Sequence, residues 1–155
     1  MKRIDAVKKI MDDVTDELVI ASTGMISREV YYIKDRVENF YVSGSMGNSL
    51  AIGIGLALNT TRKVIVISGD ADALMGLGSL VTAAYFKLKN LKHYILDNGV
   101  HGSTGNQSTC SSAIDFSSVG NTIVIKVEKE IEFAAPRIEL SPEEIKNRFL
   151  SALRR

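Results

Sequence analysis

The segment 64–98 constrains the fold of this chain more than any other part of it. An apolar run leads directly into Gly-Asp at Asp70, and a helix rich in Ala, Leu and Met is predicted over about 72–89. A second apolar run, at 93–96, ends just before Asn98. This order predicts two parallel strands joined by one crossover, with Asp70 and Asn98 at their carboxyl ends. Ligands bind along that end of open α/β sheets.

The rest of the chain repeats this alternation of strand and helix. Apolar runs at 18–21, 40–42 and 122–127 predict three more strands, and helical spacing fills the intervals between them. A capping box that starts at Ser141 predicts a C-terminal helix. The sequence therefore predicts an α/β fold with an open parallel sheet and helices on both faces, built as a single domain over residues 1–155.

Two glycines interrupt a predicted helix of small and apolar residues over about 48–59. Gly53 and Gly55 each cost about 1 kcal/mol relative to alanine in a helix interior. Close approach of a neighbouring backbone or side chain would explain them. For each glycine taken singly, a merely tolerated residue is an equally good interpretation.

Composition and charge narrow the class of protein. Of the 155 residues 45% are hydrophobic and 24% charged, which is typical of a packed globular core. The formal net charge of +1 does not favour a nucleic-acid or a membrane surface as partner. A single cysteine excludes an internal disulfide, and the first residues lack the apolar core of a signal peptide. We therefore expect a cytoplasmic protein.

Three strand ends are predicted to converge on one edge of the sheet: 44–47, 69–72 and the start of a polar, glycine-rich loop at 98–109. The carboxylate of Asp70 and the amide of Asn98 are hard oxygen donors, which suit Mg²⁺ bound with a phosphate-bearing cofactor. An aspartate at a helix start is more often a cap than a metal ligand, so this hypothesis depends on the pairing of the two residues.

In combination, these motifs resemble the diphosphate-binding motif of thiamine-diphosphate enzymes. The segments REVYYIKDRVENFYVSGSMGNSLAIGIGLAL and ILDNGVHGSTGNQST are similar to those of the sulfopyruvate and phosphonopyruvate decarboxylases. The resemblance covers about residues 21–109. The size of the chain resembles a separate β subunit that carries only the diphosphate domain of the thiamine-diphosphate-binding fold.

The resemblance implies roles for particular residues of this sequence. Asp70, Asn98 and the carbonyl of Val100 would ligate Mg²⁺. The backbone of Gly44 and Met46 would hold the aminopyrimidine, and the Met46 side chain would support the bent shape of the cofactor. The remaining contacts with thiamine diphosphate would come from Thr23, Gly24, Ser45, Gly69, Ala71, Asp72, His101 and Gly102.

The resemblance also implies a reaction and a partner. The reaction would be decarboxylation of a small anionic 2-oxoacid, sulfopyruvate to sulfoacetaldehyde and CO₂, with phosphonopyruvate as the alternative substrate. The activating glutamate of such enzymes lies in a pyrimidine-binding domain, so a separate pyrimidine-binding (alpha) subunit would supply it. A non-catalytic cofactor-binding or regulatory subunit is a further alternative. A generic nucleotide-binding protein is disfavoured, because neither GxGxxG nor GxxxxGK[ST] is present.

Several positions depart from the family pattern. Ala71 and Asp72 replace a glycine and a small residue, and a second carboxylate beside a diphosphate is repulsive unless it points away or reaches the metal. The chain also looks shortened before its last strand, which predicts a sheet edge in need of cover.

The substrate side of the predicted site offers few candidates. His101 is a candidate catalytic residue, although an exposed loop histidine is an equally good interpretation. No lysine or arginine occurs in 93–125, so a cation for the substrate would come from Arg28 or from the partner. For Arg28 itself a solvated helix charge is the favoured interpretation.

Overall fold

The computed structural model describes residues 1–129 and 133–154. Its main sheet has five parallel strands in the order β2-β1-β3-β4-β7, which confirms the predicted fold class. These strands are β1 (Leu18–Ala21), β2 (Asn39–Tyr41), β3 (Val64–Gly69), β4 (Leu91–Asp97) and β7 (Thr122–Lys126). A small antiparallel hairpin pairs β5 (Val100–His101) with β6 (Gln107–Ser108). The helices are α1 (Arg3–Asp12), α2 (Met25–Lys34), α3 (Ser49–Asn59), α4 (Asp70–Met75), α5 (Leu77–Phe86) and α6 (Pro142–Leu153).

Both faces of the main sheet are buried, as the continuous apolar runs predict for a parallel sheet. Alternate residues of β1 face opposite ways: Val19 packs in the cluster that contains α1 and α2, and Ile20 packs in the cluster that contains α3 and α5. Helix α6 covers the β2 edge, where the rings of Phe149 and Phe40 are 5.3 Å apart between centroids. The opposite edge, β7, is only half-buried, and Ile123 on it is 38% exposed.

The predicted crossover helix over 72–89 is in fact two helices. The break lies at Gly76, where a Cβ would lie 2.2 Å from the carbonyl oxygen of Gly47, so this close approach requires glycine. The break changes which residues face the sheet. Leu77 and Val81, which regular helical spacing predicts on the buried side, are 42% and 63% exposed, whereas Leu80 is buried. The close approach brings the loop after β2 against the start of the crossover.

The two α3 glycines have different explanations. A Cβ on Gly53 would lie 2.3 Å from Cγ2 of Val66, which is fully buried and, being β-branched, has a restricted side-chain conformation. Around Gly55 a Cβ would meet no atom within 4 Å. Close packing therefore explains Gly53, whereas Gly55 is a tolerated glycine.

We expect Gly53→Ala and Gly55→Ala to change stability in opposite directions. Overpacking against β3 should cost the first variant about 1–3 kcal/mol of unfolding free energy. The second should gain up to about 1 kcal/mol from helix propensity alone. Urea unfolding of the two variants beside the parent measures both, and equal effects would contradict this account of the α3–β3 contact.

His93 is a buried polar residue of β4 that faces the core. Its Nε2 atom is 2.7 Å from Oγ of Ser68, and its Nδ1 atom has no hydrogen-bond partner in the described part of the chain. Burial lowers the pKa of His93 to about 4, since a charged imidazole would lose its hydration there. The folded state therefore holds this ring neutral.

This lowered pKa predicts a loss of stability in acid. Between about pH 6.5 and pH 4 the unfolded chain binds a proton at His93 that the folded chain does not, so the unfolding free energy falls as pH falls, by about 2–3 kcal/mol. His93→Gln, which does not titrate, should lose this dependence in urea unfolding followed across pH. His101→Gln, at the other histidine of the chain, should keep it. Identical pH profiles for the parent and His93→Gln would contradict the assignment.

Candidate functional site

The three predicted strand ends meet around one cavity at the carboxyl edge of the sheet. Its lining includes most of the predicted cofactor-binding residues: Thr23, Gly24, Met46, Gly69, Asp70, Ala71, Asp72, Asn98, Val100, His101 and Gly102. Gly44 and Ser45 lie outside this lining, in an exposed turn with φ of +66° and +45°. The structure thus brings the predicted residues together, apart from that turn.

Asp70 is the first residue of α4 and its side chain is directed toward this cavity. It is only 2% exposed, yet among the described residues its one hydrogen bond is the short contact that the hydroxyl of Thr109 donates to Oδ2. It forms no ion pair with any described residue. A buried carboxylate is normally paired with a cation or coordinates a metal, so Asp70 has an unmet requirement for positive charge.

Asp72 is also buried, but its carboxylate is fully used inside the protein. Oδ1 accepts a hydrogen bond of 2.8 Å from the backbone N–H of Gly47, and Oδ2 accepts one of 2.5 Å from the hydroxyl of Ser49. Burial raises the pKa of Asp72, and these two hydrogen bonds partly offset that effect. Its carboxylate is thus turned toward the loop after β2, which relieves the repulsion expected if it faced a diphosphate.

Ala71, the other departure from the family pattern, lies within the first turn of α4. Its φ is not among the positive values of the described chain, so the methyl group is accommodated without backbone strain. The side chain is 9% exposed. Neither Ala71 nor Asp72 therefore obstructs the cavity, although both depart from the family pattern.

The predicted loop after Asn98 is partly a hairpin. Gly99, at a φ of +70°, turns the chain into β5, and Oδ1 of Asn98 accepts a 3.2 Å hydrogen bond from the N–H of Val100. The carbonyl of Val100 accepts a 3.1 Å hydrogen bond from the N–H of Gly102. Both oxygens keep a second lone pair. The hairpin thus holds two of the three predicted metal ligands in defined positions beside Asp70.

Asp97 anchors this hairpin, a role that was not predicted. Its Oδ1 accepts hydrogen bonds from the N–H of Gly99 at 2.9 Å and from the hydroxyl of Ser111 at 3.0 Å, and its Oδ2 pairs with Lys126. Burial alone would raise the pKa of Asp97, but the contacts with Lys126, Ser111 and Gly99 together lower it. The signal available in the sequence was a carboxylate directly before Asn98.

Arg3 also lines the cavity, although it is far from the other site residues in sequence. Its Nε and Nη2 atoms donate to the two carboxylate oxygens of Glu29, at 2.9 and 2.8 Å, and Glu29 is only 1% exposed. This bidentate pair joins α1 to α2 beneath the cavity and leaves little net charge there. No sequence motif pointed to it.

His101 belongs to the cavity lining, and its backbone carbonyl accepts hydrogen bonds from the hairpin tip, including one of 3.1 Å from Asn106. Its ring is partly exposed and forms no hydrogen bond with a described residue. The ring is therefore free to contact a bound molecule. Its predicted catalytic role stays a prediction.

The donor set favours a metal that is bound together with an anion. Among residues 1–129 and 133–154 no group of three His, Cys, Asp or Glu residues could hold a metal ion. Asp70 with neutral oxygens from Asn98 and Val100 leaves octahedral positions for other oxygens, which phosphates supply in many Mg²⁺ sites. The residues present thus fit Mg²⁺ with a diphosphate.

We expect Asp72→Ala and Asp72→Asn to differ sharply. Alanine leaves the N–H of Gly47 and the hydroxyl of Ser49 without an acceptor and should cost about 1–3 kcal/mol of unfolding free energy. The amide of asparagine can accept from Gly47 and donate to Ser49, so that variant should stay within about 1 kcal/mol of the parent. Urea unfolding at pH 7 distinguishes the two. Equal losses would show that the two hydrogen bonds are not the reason for this carboxylate.

Comparison with known proteins assigns the fold to a family. Residues 21–148 match the family described as "Thiamine pyrophosphate enzyme, C-terminal TPP binding domain". A solved structure described as a thiamin diphosphate-dependent enzyme from Mycobacterium smegmatis superposes with a TM-score of 0.57 at 17% identity. That likeness covers 83% of this chain and 31% of the other and shows a shared fold.

None of the described helices is long and apolar enough to cross a membrane.

Curated relatives narrow the family further. Sulfopyruvate decarboxylase subunit beta of Methanocaldococcus jannaschii is 53% identical over 109 residues, which cover 70% of this chain and 58% of that protein. Phosphonopyruvate decarboxylase of Streptomyces hygroscopicus is 47% identical over 118 residues, 76% of this chain but 29% of that protein. In these two matches the chain therefore covers less than two thirds of the relative's length.

A third relative aligns along its whole length. Sulfopyruvate decarboxylase subunit beta of Methanococcus maripaludis is 36% identical over an alignment 183 positions long, which covers 100% of this chain and 99% of that protein. The alignment is longer than the 155 residues here, so it includes positions of the relative that this chain lacks. Shortening before the last strand stays a prediction. The chain belongs to the thiamine pyrophosphate enzymes, as a TPP-binding domain of the decarboxylase family that includes the sulfopyruvate decarboxylase beta subunits.

Proposed function

We propose that this chain is the diphosphate-binding subunit of a thiamine-diphosphate-dependent decarboxylase that converts sulfopyruvate to sulfoacetaldehyde and CO₂. The observation that carries the proposal is Asp70, a carboxylate that is 2% exposed, borders the cavity and has no cation among the described residues. The similarity of this chain to sulfopyruvate decarboxylase beta subunits supports sulfopyruvate as the substrate. The 47% identity with a phosphonopyruvate decarboxylase supports phosphonopyruvate as the second candidate.

In this proposal Asp70 is the charged ligand of Mg²⁺. The amide oxygen of Asn98 and the carbonyl of Val100 complete the protein's share of the coordination, because the β5–β6 hairpin holds both beside the end of β3. Thr109 keeps the carboxylate oriented through Oδ2, and Oδ1 remains available for the metal. One carboxylate for a divalent cation leaves a positive excess, which favours an anionic cofactor.

The neighbouring residues would hold the cofactor itself. When it is bound, thiamine diphosphate supplies the electron sink that allows a 2-oxoacid to lose CO₂. The diphosphate would lie against the backbone at Gly24, Gly69 and Gly102, with the hydroxyl of Thr23 as a further donor. Ala71 adds little bulk there. We expect the carboxylate of Asp72 to position the loop after β2 instead of contacting the diphosphate.

Met46 and His101 would act on the two sides of the reacting centre. Met46 is 37% exposed at the cavity wall, as an apolar support for the bent cofactor requires. Gly44 and Ser45 lie in the exposed turn outside the cavity lining. Their contact with the aminopyrimidine would therefore depend on a partner that covers this turn. The ring of His101 would donate a hydrogen bond or a proton to the substrate.

A partner subunit is part of the proposal. No glutamate lines the cavity in the described part of the chain, so the activating carboxylate would come from a pyrimidine-binding alpha subunit. An apolar surface for such a partner is present on α4 and α5, where Met75 is 64%, Val81 63% and Tyr85 80% exposed. Val81 and Tyr85 lie one helical turn apart on α5, and we expect the partner to cover this exposed apolar face.

The direct test is calorimetric titration of thiamine diphosphate with Mg²⁺ into this chain mixed with a pyrimidine-domain subunit. We expect saturable binding by the parent and at least about 100-fold weaker binding by Asp70→Ala, because the metal loses its charged ligand. Asp72→Asn, two residues away on the same helix, is the matched control and should bind like the parent.

Release of CO₂ by the same mixture, from sulfopyruvate and from phosphonopyruvate in parallel, identifies the substrate. Absence of heat with the parent, or equal binding by Asp70→Ala, would refute the cofactor site. Binding without CO₂ from either substrate would leave a non-catalytic cofactor-binding subunit.

A further inference from the structure

A second cavity, of about 250 Å³, lies beside the cofactor cavity. It is bounded by the start of α2, the end of β2 and the segment that enters α6. Its described lining is Thr23, Gly24, Ser27, Arg28, Tyr41, Val42, Ser43, Arg137, Ile138, Leu140, Pro142 and Ile145. The two cavities share Thr23 and Gly24, so they meet at the turn after β1.

The charge of this second cavity is positive and uncompensated within the described chain. Arg28 and Arg137 both line it, and none of its described lining residues is a carboxylate. Neither arginine forms an ion pair with a described residue. Among the described residues, the one polar contact of the Arg28 guanidinium is a 3.8 Å approach of Nη1 to the sulfur of Met25. Arg28 is partly exposed and Arg137 is exposed, so a solvated helix charge stays the alternative interpretation of Arg28.

Two nearby carboxylates are already committed to other partners, whereas Glu139, between the lining residues Ile138 and Leu140, is exposed, does not line the cavity and forms no ion pair with a described residue. Glu29, next to Arg28 in sequence, holds Arg3 with both of its oxygens. Asp35 accepts hydrogen bonds of 2.8 Å from Arg148 and 2.7 Å from the hydroxyl of Tyr41. These pairs leave neither carboxylate free to neutralise the two arginines that line the cavity.

Uncommitted donors accompany the two guanidinium groups. The hydroxyls of Thr23 and Ser43 form no hydrogen bond with a described residue. Gly24 precedes α2, a helix of ten residues whose first turn has no side-chain cap. Hydroxyls and guanidinium groups without an acceptor suit a multiply charged oxyanion, and arginine in particular binds tetrahedral oxyanions through paired N–H groups.

We propose that this cavity binds a tetrahedral oxyanion of the sulfonate, phosphonate, sulfate or phosphate type through Arg28 and Arg137. Two sources have this chemistry: the distal group of a 2-oxoacid substrate, and a free inorganic anion. The substrate source agrees with the shared Thr23–Gly24 turn and with the absence of lysine and arginine from 93–125. Binding of the free anion does not depend on the proposed decarboxylase activity.

The first experiment measures binding without any activity. Inorganic sulfate and inorganic phosphate are titrated into the full-length chain, and binding is followed by NMR of the arginine Nε–Hε signals. We expect saturable binding by the parent and at least about tenfold weaker binding by Arg28→Gln and by Arg137→Gln, since each removes one charge-assisted contact. Arg154→Gln, at the exposed end of α6, is the matched control and should bind like the parent.

The second experiment identifies the source of the anion in the mixed, active enzyme. If the substrate carries it, Arg28→Gln raises KM for sulfopyruvate or phosphonopyruvate about tenfold, leaves kcat and thiamine diphosphate binding unchanged, and sulfate competes with substrate. If the cavity instead binds a free inorganic anion, Arg28→Gln leaves KM unchanged and sulfate does not compete with the substrate.

The two experiments separate failure of the site from failure of the proposed activity. The site is refuted if the parent shows no saturable sulfate or phosphate binding, or if Arg28→Gln and Arg137→Gln both bind like the parent. A parent that binds the anion but releases no CO₂ refutes the proposed substrate and leaves the site in place.

Discussion

The organisation of the site depends on the buried carboxylate of Asp72. It accepts hydrogen bonds from Gly47 and Ser49, so it ties the loop after β2 to the start of the crossover that follows β3. The same contact brings the backbone of Gly47 against Gly76, where the crossover helix breaks. A buried carboxylate without hydrogen-bond donors would be costly in this position. Gly47 and Ser49 must therefore stay within hydrogen-bond distance of Asp72, which fixes the separation between the ends of β2 and β3.

Two carboxylates on one helix thus differ in their hydrogen bonding because their surroundings differ. Asp72 lines the same cavity, but both of its carboxylate oxygens already accept hydrogen bonds, from Gly47 and Ser49. Asp70 has one hydroxyl donor, from Thr109, and borders the cavity. The same comparison applies to the arginines: Arg3 is neutralised by Glu29, whereas Arg28 has no acidic partner among the described residues. The roles proposed for Asp70 and Arg28 depend on the charged partners that these two side chains lack among the described residues, and local sequence does not show which partners are missing.

Much of the fold was predictable because the signals are local. The continuous apolar runs of β3 and β4 predicted buried parallel strands, and the spacing between them left room only for a crossover. Ser141 and its capping box predicted the start of α6, which the structure confirms. The position of Asp70 and Asn98 at the carboxyl edge followed from the prediction that one crossover joins two parallel strands. The resemblance to thiamine-diphosphate enzymes then supplied the chemistry for that edge.

What the sequence could not determine depends on contacts between distant segments. The close approach of Gly47 to Gly76, at the helix break, joins positions 29 residues apart, and helical spacing does not indicate it. The harmless direction of the Asp72 side chain depends on the same loop. Only the tertiary structure placed Arg137 in one cavity with Arg28, because they belong to segments that meet at the β2 edge. The sequence by itself determined a parallel sheet with Asp70 and Asn98 at its carboxyl edge, because apolar runs and their spacing are local signals; packing decided which charges are neutralised and which have no partner among the described residues.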